Sequence, residues 1–159
     1  MSKTNLLNWF QGKIRYEKVN EAGMNVKVTE PYLVDALSFT EAEARLIEEM
    51  SPYITGEFTV SDIARANYSE LFFSDEESAD RWFKCKLIYI TLDEKSGAEK
   101  RSSVNVLVQA ADLRDAVKKL DAGMAGTMAD YQIASIAETA IMDVYPYTGK
   151  SDDRPTPEA

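Results

Sequence analysis

The chain has 159 residues, and its 27 Asp and Glu side chains outnumber 18 Lys and Arg, which gives a net charge of −9. One Cys and no His exclude an internal disulfide, metal sites that need imidazole or a Cys cluster, and catalytic triads built on His. The acidic balance argues against binding to duplex nucleic acid, where Lys and Arg contacts to phosphates supply most of the affinity.

The first half of the chain predicts two strands, a helix and a third strand. Alternating side chains that include aromatic residues are typical of strands, and a turn that ends at Gly23 predicts a hairpin between the first two. Ser38 followed by Glu41 is a capping-box pattern, in which each side chain satisfies a backbone N–H at the start of a helix. Ala64, a small residue, suggests a bend in the long third strand. The predicted elements cover residues 8–18, 24–35, 39–50 and 57–73.

The second half predicts the same elements in the same order. A turn that ends at Gly97 joins its first two strands, Asp112 is the predicted N-cap of its helix, and Gly123 is predicted to follow that helix as the C′ residue. Ala137 suggests a bend in the last strand. One helix per half over antiparallel strands predicts an α+β fold with the helices on one sheet face. These elements cover residues 81–92, 99–110, 113–122 and 130–145.

The two halves also repeat one another in sequence. Residues 9–16 match residues 82–89 at an offset of 73, and residues 33–34 match residues 107–108 at an offset of 74. The matches predict an internally duplicated strand-strand-helix-strand unit with a pseudo-twofold axis, packed as one compact domain because each half alone has a small core. The predicted boundaries are 1–73 for the first repeat, 74–81 for a polar linker, 82–147 for the second repeat and 148–159 for a disordered tail.

Period-two alternation divides the side chains of the first strand in each half between two faces. Phe10, Ile14 and Cys85 fall on the faces expected under the helices, so Cys85 is interpreted as a small buried hydrophobic residue. The opposite faces place an indole beside cations, which suits an anionic aromatic ligand: the indole would stack on a base and the cations would meet phosphate. The predicted ligand-binding residues are Trp9, Lys13 and Arg15 in the first half, and Trp82, Lys84 and Lys86 in the second.

Two other interpretations of these faces stay open. They are either plain solvated sheet surfaces, or Trp9 and Trp82 are buried in an interface within or between subunits. Residues 1–80 carry seven basic and fifteen acidic side chains, whereas residues 81–159 carry eleven and twelve. An anion would therefore be met more readily on the second half.

No motif predicts a catalytic residue, a cofactor or a metal ligand. The acidic side chains of the first helix spread around it instead of converging; they are Glu41, Glu43, Glu48 and Glu49. No apolar run approaches the length of a membrane span, and the N-terminus shows no signal-peptide pattern. We therefore expect a cytoplasmic protein without a membrane partner.

Several longer strings of residues carry a family resemblance. They are Asn8-Trp9-Phe10 and residues 28–45, 90–95, 126–131 and 141–147. Over about residues 8–147 the chain resembles a domain family of unknown function found in gut anaerobic bacteria and their phages. The resemblance implies a small intracellular protein whose genes occur in bacterial and mobile-element settings, and it supplies no catalytic residues.

Three functions follow as hypotheses. The first is a non-enzymatic binding protein, expected to be a homo-oligomer, that sequesters a small anionic ligand of the nucleotide type. The phage setting implied by the resemblance makes it a candidate sponge that counters host immune signalling. The second is a protein-interaction or structural component of an oligomeric assembly, which would use the acidic half or a long strand edge. The third is an enzyme that uses carboxylate or Tyr chemistry.

Overall fold

A computed structural model of the protein describes residues 8–147, so the tail predicted for residues 148–159 lies outside the described residues. The described chain contains two helices of twelve residues each and eight strands. In chain order they are β1 (Asn8–Val19), β2 (Asn25–Ala36), α1 (Phe39–Met50), β3 (Phe58–Arg65), β4 (Glu70–Phe72), β5 (Arg81–Leu92), β6 (Glu99–Ala110), α2 (Leu113–Met124), β7 (Asp130–Glu138) and β8 (Asp143–Tyr145).

The chain divides into two compact units. Unit 1 contains the described residues 8–66 and 141–147, and unit 2 contains residues 67–140. Each unit has one helix and one four-stranded sheet, with strand order β3-β1-β2-β8 in unit 1 and β4-β6-β5-β7 in unit 2. The expected mixture of helices and mostly antiparallel strands is therefore confirmed.

The third strand predicted for each half is wrong in one respect, because it is two strands that belong to different sheets. β3 pairs with β1 in unit 1, whereas β4 pairs in parallel with β6 in unit 2. The N–H of Ala66 donates to the Trp9 carbonyl at 2.9 Å, and the N–H of Ser69 already donates to the Asn105 carbonyl at 2.8 Å. The change of sheet thus takes place within a few residues.

The same exchange takes place at the end of the described chain. β7 pairs with β5 in unit 2, and β8 then pairs in parallel with β2 in unit 1. Each unit therefore takes its three-residue strand from the other half of the sequence, so the compact units do not coincide with residues 1–73 and 82–147.

A side chain of the neighbouring strand anchors the chain just after each short strand. In unit 1 the Asp35 carboxylate accepts the N–H of Tyr147 at 2.8 Å and a bond from the Arg45 guanidinium at 2.7 Å. In unit 2 the Gln109 amide oxygen accepts the N–H of Ser74 at 2.8 Å. Asp35 is only 7% exposed, and the adjacent guanidinium offsets the cost of burying its charge.

The hairpin turns form as predicted, since Gly23 and Gly97 adopt φ of 81° and 74°, a region that favours glycine. Each outer strand also contains a bulge. One residue, Ser61 in β3 and Ala134 in β7, has no partner in the ladder with β1 or β5. The bulges lie three residues before Ala64 and Ala137, where the sequence suggested bends.

Each helix begins with the predicted side-chain cap. Ser38 Oγ accepts the N–H of Glu41 at 3.1 Å, and the Glu41 carboxylate accepts the N–H of Leu37. Asp112 accepts the N–H of Asp115 at 2.8 Å in the same way. These bonds satisfy donors that the first helical turn leaves without a partner.

One apolar stripe of each helix is buried on the inner face of its sheet. The buried core of unit 1 consists of Phe10, Ile14, Val34, Ala36, Ala42, Leu46 and Met50. The buried core of unit 2 consists of Phe83, Cys85, Leu87, Val106, Val108, Ala110, Ala116, Leu120 and Met124. The expected inner faces of β1 and β5 are therefore confirmed, with Cys85 inside the core.

Two glycines allow close packing against these cores. A Cβ atom at Gly12 would fall on the Leu46 side chain, and one at Gly123 would lie 2.9 Å from the ring of Phe72. Gly123 lies inside α2, so its expected position after the helix is wrong. Gly126, with φ of 89°, is the glycine that follows the helix in the left-handed region.

We predict that Gly12→Ala destabilises the protein. Overpacking against buried Leu46 costs about 1–3 kcal/mol, and the smaller backbone entropy of unfolded alanine returns less than about 1 kcal/mol. Urea unfolding should show a lower midpoint, and Leu46→Ala should make the same glycine substitution less harmful in the double variant. Equal effects of Gly12→Ala in both backgrounds would contradict the packing explanation.

Candidate functional site

The predicted binding residues lie on the face of each sheet opposite its helix, but this face is not uniform. Near its tryptophan end it is buried, since Leu33 and Leu107 are fully buried there. Trp82 is 2% exposed, and its ring packs edge-on against Phe73 with centroids 5.5 Å apart. Trp9 is half-buried. The buried indole of Trp82 therefore presents no open ring face on which a base could stack.

The cations lie further along the same strands and are exposed. Lys84 and Lys86 stand on β5, and Lys86 lies across from Asn105 and Ser135. Within residues 8–147, neither lysine has a carboxylate oxygen within 4 Å. Unit 2 thus has a cationic strip in which Lys86 lies between two neutral polar residues and Lys84 lies between Leu107 and Ala137, while the nearby indole of Trp82 is buried.

The corresponding cations of unit 1 are Lys13 and Arg15 on β1. Lys13 lies across from Asp62 of β3, and Arg15 lies across from Thr59. Arg15 also lines a cavity of about 620 Å³ at the end of the sheet where the loop after α1 leads into β3. The structure therefore brings Arg15, and not Trp9, to a concave surface.

This cavity, which we call the β1–β3 cavity, is lined from four segments of unit 1: the end of β1, the start of β2, the loop before β3, and β3 itself. It combines two cations, two carboxylates, small polar groups and apolar side chains. The lining residues are Arg15, Tyr16, Glu17, Asn25, Lys27, Ile54, Thr55, Gly56, Glu57, Phe58 and Thr59.

Local features of the sequence form this end of the sheet. Ser51 follows α1 and its N–H donates to Ile47 at 3.0 Å, while Pro52 cannot continue the helical hydrogen bonds. Gly56 then adopts φ of 111°, which only glycine tolerates readily. The loop that carries Thr55 and Glu57 to the cavity therefore depends on a proline and a glycine.

A polar cluster in unit 1 connects to Tyr16 of the cavity lining. Glu30 Oε1 accepts hydrogen bonds from the hydroxyls of Tyr16 and Tyr32, each at 3.1 Å. Lys18 approaches the other carboxylate oxygen at 3.6 Å, and the Glu30 side chain is 13% exposed. The two hydrogen bonds fix the tyrosine rings, with Tyr32 stacked 6.1 Å from Tyr145.

Burial raises the pKa of Tyr16, Tyr32 and Tyr145, and Glu30 adds to the effect on the first two. The pKa of Tyr16 is raised, first by burial and then by its hydrogen bond to Glu30 and the charge of that carboxylate. The pKa of Tyr32 is raised strongly, by burial first and by Glu30 second. The pKa of Tyr145 is also raised strongly, by burial and by the charges of Asp143 and Glu49.

This cluster distinguishes unit 1 from unit 2. Glu30 pairs with Ile14 across β1 and β2, and the residue in the same register position of unit 2 is Val104, which pairs with Leu87. Tyr32 likewise corresponds to Val106. The cluster was not predicted from the sequence, although an alignment of the two predicted repeats shows Glu30 where the second half has the apolar Val104.

Cys85 and two acidic residues of α1 have structural surroundings that account for them. Burial raises the pKa of the Cys85 thiol to about 11, which disfavours the thiolate that nucleophilic chemistry needs. Of the acidic residues on α1, Glu41 caps the helix and Glu49 contacts Arg45 at 3.4 Å. In the part of the chain that the structure describes, no three acidic or Cys side chains gather as a metal site would require.

The fold and this geometry define a two-unit α+β protein with a ligand-sized cavity in its first unit. The chain belongs to the DUF4494 family, a domain of unknown function, whose model matches residues 8–147. The family resemblance is thereby confirmed over its expected range, while the gut and phage setting stays a prediction. No curated protein matches the chain. Neither described helix has the length and apolar character that crossing a bilayer requires.

We predict that Glu30→Val shifts the alkaline titration of two tyrosines. The raised pKa values mean that the native protein keeps protons that the unfolded chain releases above about pH 10. Their contribution to stability is therefore complete below that pH and is lost as the pH rises further. Without Glu30, Tyr16 and Tyr32 should ionise at lower pH, as measured by tyrosinate absorbance.

Tyr145 provides an internal control, because Glu30 does not contribute to its raised pKa. Its ionisation should stay late in the Glu30→Val variant as long as the fold is intact by circular dichroism. An unchanged titration of all eight tyrosines would contradict the assigned hydrogen bonds.

Proposed function

We propose that this protein is a non-enzymatic binding protein that sequesters a small anionic ligand of the nucleotide type in the β1–β3 cavity. The observation that carries the proposal is the position of Arg15 and Lys27 in the lining of a cavity of about 620 Å³. Ligand-binding cavities commonly measure roughly 300–1,000 Å³, so this one has the size for a nucleotide.

The mixed charge of the lining favours a nucleotide over a simple anion. Arg15 and Lys27 can bind phosphate oxygens through charge-assisted hydrogen bonds. Glu17 and Glu57 are acceptors, which suit the hydroxyls of a ribose or the amino group of a base. A small inorganic anion would meet the same carboxylates without offering them a donor.

The proposal changes which aromatic residues take part. Trp82 is buried and Trp9 lies at the far end of β1, so neither is assigned to the ligand. Tyr16 and Phe58 line the cavity instead. Because Glu30 holds the Tyr16 hydroxyl, the ring is ordered before a ligand arrives, and less side-chain entropy is lost on binding.

The proposal also covers the compartment in which the protein acts and the role of its ligand. We propose that the protein acts in the cytoplasm and that the sequestered ligand is a nucleotide signal of host immunity, as the mobile-element association of the resembling family suggests. Sequestration fits better than turnover, since no Cys, Ser or His is among the residues that line the β1–β3 cavity. The third hypothesis, an enzyme with carboxylate or Tyr chemistry, ranks below it; Tyr16, Glu17 and Glu57 line the cavity, and product formed from a bound nucleotide would favour it.

We also propose that the two units arose by an internal duplication. The support is the common strand order, a bulge at the same place in β3 and β7, and a side chain of β2 or β6 that accepts the N–H of the second residue after the neighbouring short strand. On this proposal the polar cluster and the β1–β3 cavity belong to unit 1 because the copies diverged.

We predict that Arg15→Ala weakens nucleotide binding by about tenfold or more, because a hydrogen bond to a charged group contributes roughly 1.5–3 kcal/mol. Isothermal titration of the full chain with a panel of linear and cyclic nucleotides would identify a binder, and the variant would then be titrated with it. Lys27→Ala should weaken binding in the same direction.

Two control variants locate the effect. Lys95→Ala changes an exposed residue of the β5–β6 turn and should leave binding unchanged. Lys84→Ala with Lys86→Ala removes the cationic strip of unit 2 and should also leave it unchanged. Loss of binding in that double variant but not in Arg15→Ala would move the site to unit 2. Absence of binding to the whole panel at micromolar concentrations would refute the nucleotide proposal.

A further inference from the structure

The outer edge of unit 2 is unusually open for a strand of its length. β7 spans nine residues and pairs with β5 on one side, while its other side has no partner strand among residues 8–147. From Tyr131 to Ala137 this strand contains no charged residue, no proline and no glycine. Natural proteins commonly protect such edges with charges, prolines, bulges or very short strands, because open backbone groups recruit other strands. Of these features β7 has the bulge at Ala134 and a charge at each end, Asp130 and Glu138.

The other sheet edges have that protection. β4 and β8 are each three residues long. β3, which has the same place in unit 1 as β7 has in unit 2, contains a charged residue in its interior, Asp62, whereas the charges of β7 are confined to its two end residues. Among the described sheet edges, β7 is thus the one with the least protection against pairing with another strand.

We propose that β7 pairs antiparallel with β7 of a second copy of this chain, so that two copies form a dimer through a continuous sheet. Two identical strands that pair in this way are related by a twofold axis, which gives a closed, self-complementary interface. The proposal is independent of ligand binding in unit 1.

The bulge at Ala134 determines which residues of β7 can face each other in this pairing, because it interrupts the alternation and leaves Ile133 and Ile136 on the same side of the sheet. Ile133 and Ile136 lie across from Leu87 and Cys85, on the helix side of the sheet. An axis between Ala134 and Ser135 places Ile133 opposite the partner's Ile136 on that same side. Shifting the register by one residue would bring side chains of opposite faces together.

The same register brings Gln132 opposite the partner's Ala137 on the other face, where Gln132 and Ala137 lie across from Ile88 and Lys84. Ile133, which is 39% exposed in the single chain, gains a cross-strand apolar neighbour. In this register the two isoleucines lie opposite each other on the helix side of the sheet, and Gln132 and Ala137 lie opposite each other on the other side.

Charge favours a second copy at this edge. Two chains with a net charge of −9 repel each other, so close approach is easiest along residues 131–137 of β7, which carry no charge. In the selected register Glu138 lies opposite the partner's Tyr131 and not opposite an acidic residue. Glu138 is also within 3.7 Å of Arg81 in its own chain.

The test is the mass of the full chain in solution, measured by analytical ultracentrifugation over a range of concentrations. The unmodified chain should sediment as a dimer that dissociates on dilution. Ala134→Glu places two like charges beside the axis and should give a monomer with an unchanged circular dichroism spectrum, whose thermal midpoint, unlike that of the unmodified chain, does not depend on protein concentration. The matched control is Ser61→Glu, which changes the bulge residue of β3 and should remain dimeric.

A cross-link tests the register without relying on loss of association. Ala134→Cys brings two thiols near each other across the axis, within the range that a disulfide requires, and mild oxidation should link two chains. Ser61→Cys should not link, and the buried native Cys85 does not compete. A monomeric unmodified chain, a dimeric Ala134→Glu variant, or equal linking by Ser61→Cys would overturn the proposal.

Discussion

The structure depends on the burial of one helix stripe against the inner face of each sheet. Leu46 in unit 1 and Leu120 in unit 2 are fully buried, and each side chain of this size contributes roughly 1.5–3 kcal/mol when it is removed from water. Because Leu46 packs against Gly12, a larger side chain at position 12 would displace it. The same contact requires each helix to begin at a fixed residue and each strand to direct its apolar side chains to one face. The polar groups of unit 1 lie around the margin of that core and are positioned by it.

Local features could be predicted from the sequence because they depend on neighbours in the chain. The caps at Ser38 and Asp112, the hairpin glycines and the inner faces of β1 and β5 follow from spacing alone, and the structure confirms each of them. The change of sheet after Arg65 could not be read in this way. A strand that bends and a strand that passes to another sheet have the same alternation, and only distant partners distinguish them.

At the candidate site, too, the sequence predicts what depends on neighbouring residues in the chain and does not predict what depends on distant ones. Arg15 was assigned to the outer face from its alternation, and it lines the β1–β3 cavity. Trp82 was assigned to an open face, yet it is buried, since alternation assigns a side chain to a face without showing whether that face is covered. Glu30 was missed because its bond to Tyr16 depends on the pairing of β1 with β2, although its contrast with Val104 at the equivalent position of the second half was visible in the sequence.

The exchange of the short strands has a consequence for folding. Asp35 and Tyr147 are separated by 112 positions in the chain, and unit 1 is completed only when this long loop closes. Pairings of such high contact order form late and slow the folding reaction. Because each half supplies a strand to the other unit, a fragment cut between residues 73 and 82 would lack a sheet edge in either piece. We therefore expect the two units to unfold in a single cooperative transition, and circular permutants with new ends between residues 75 and 80, after the anchored Ser74 and before β5, to retain the fold.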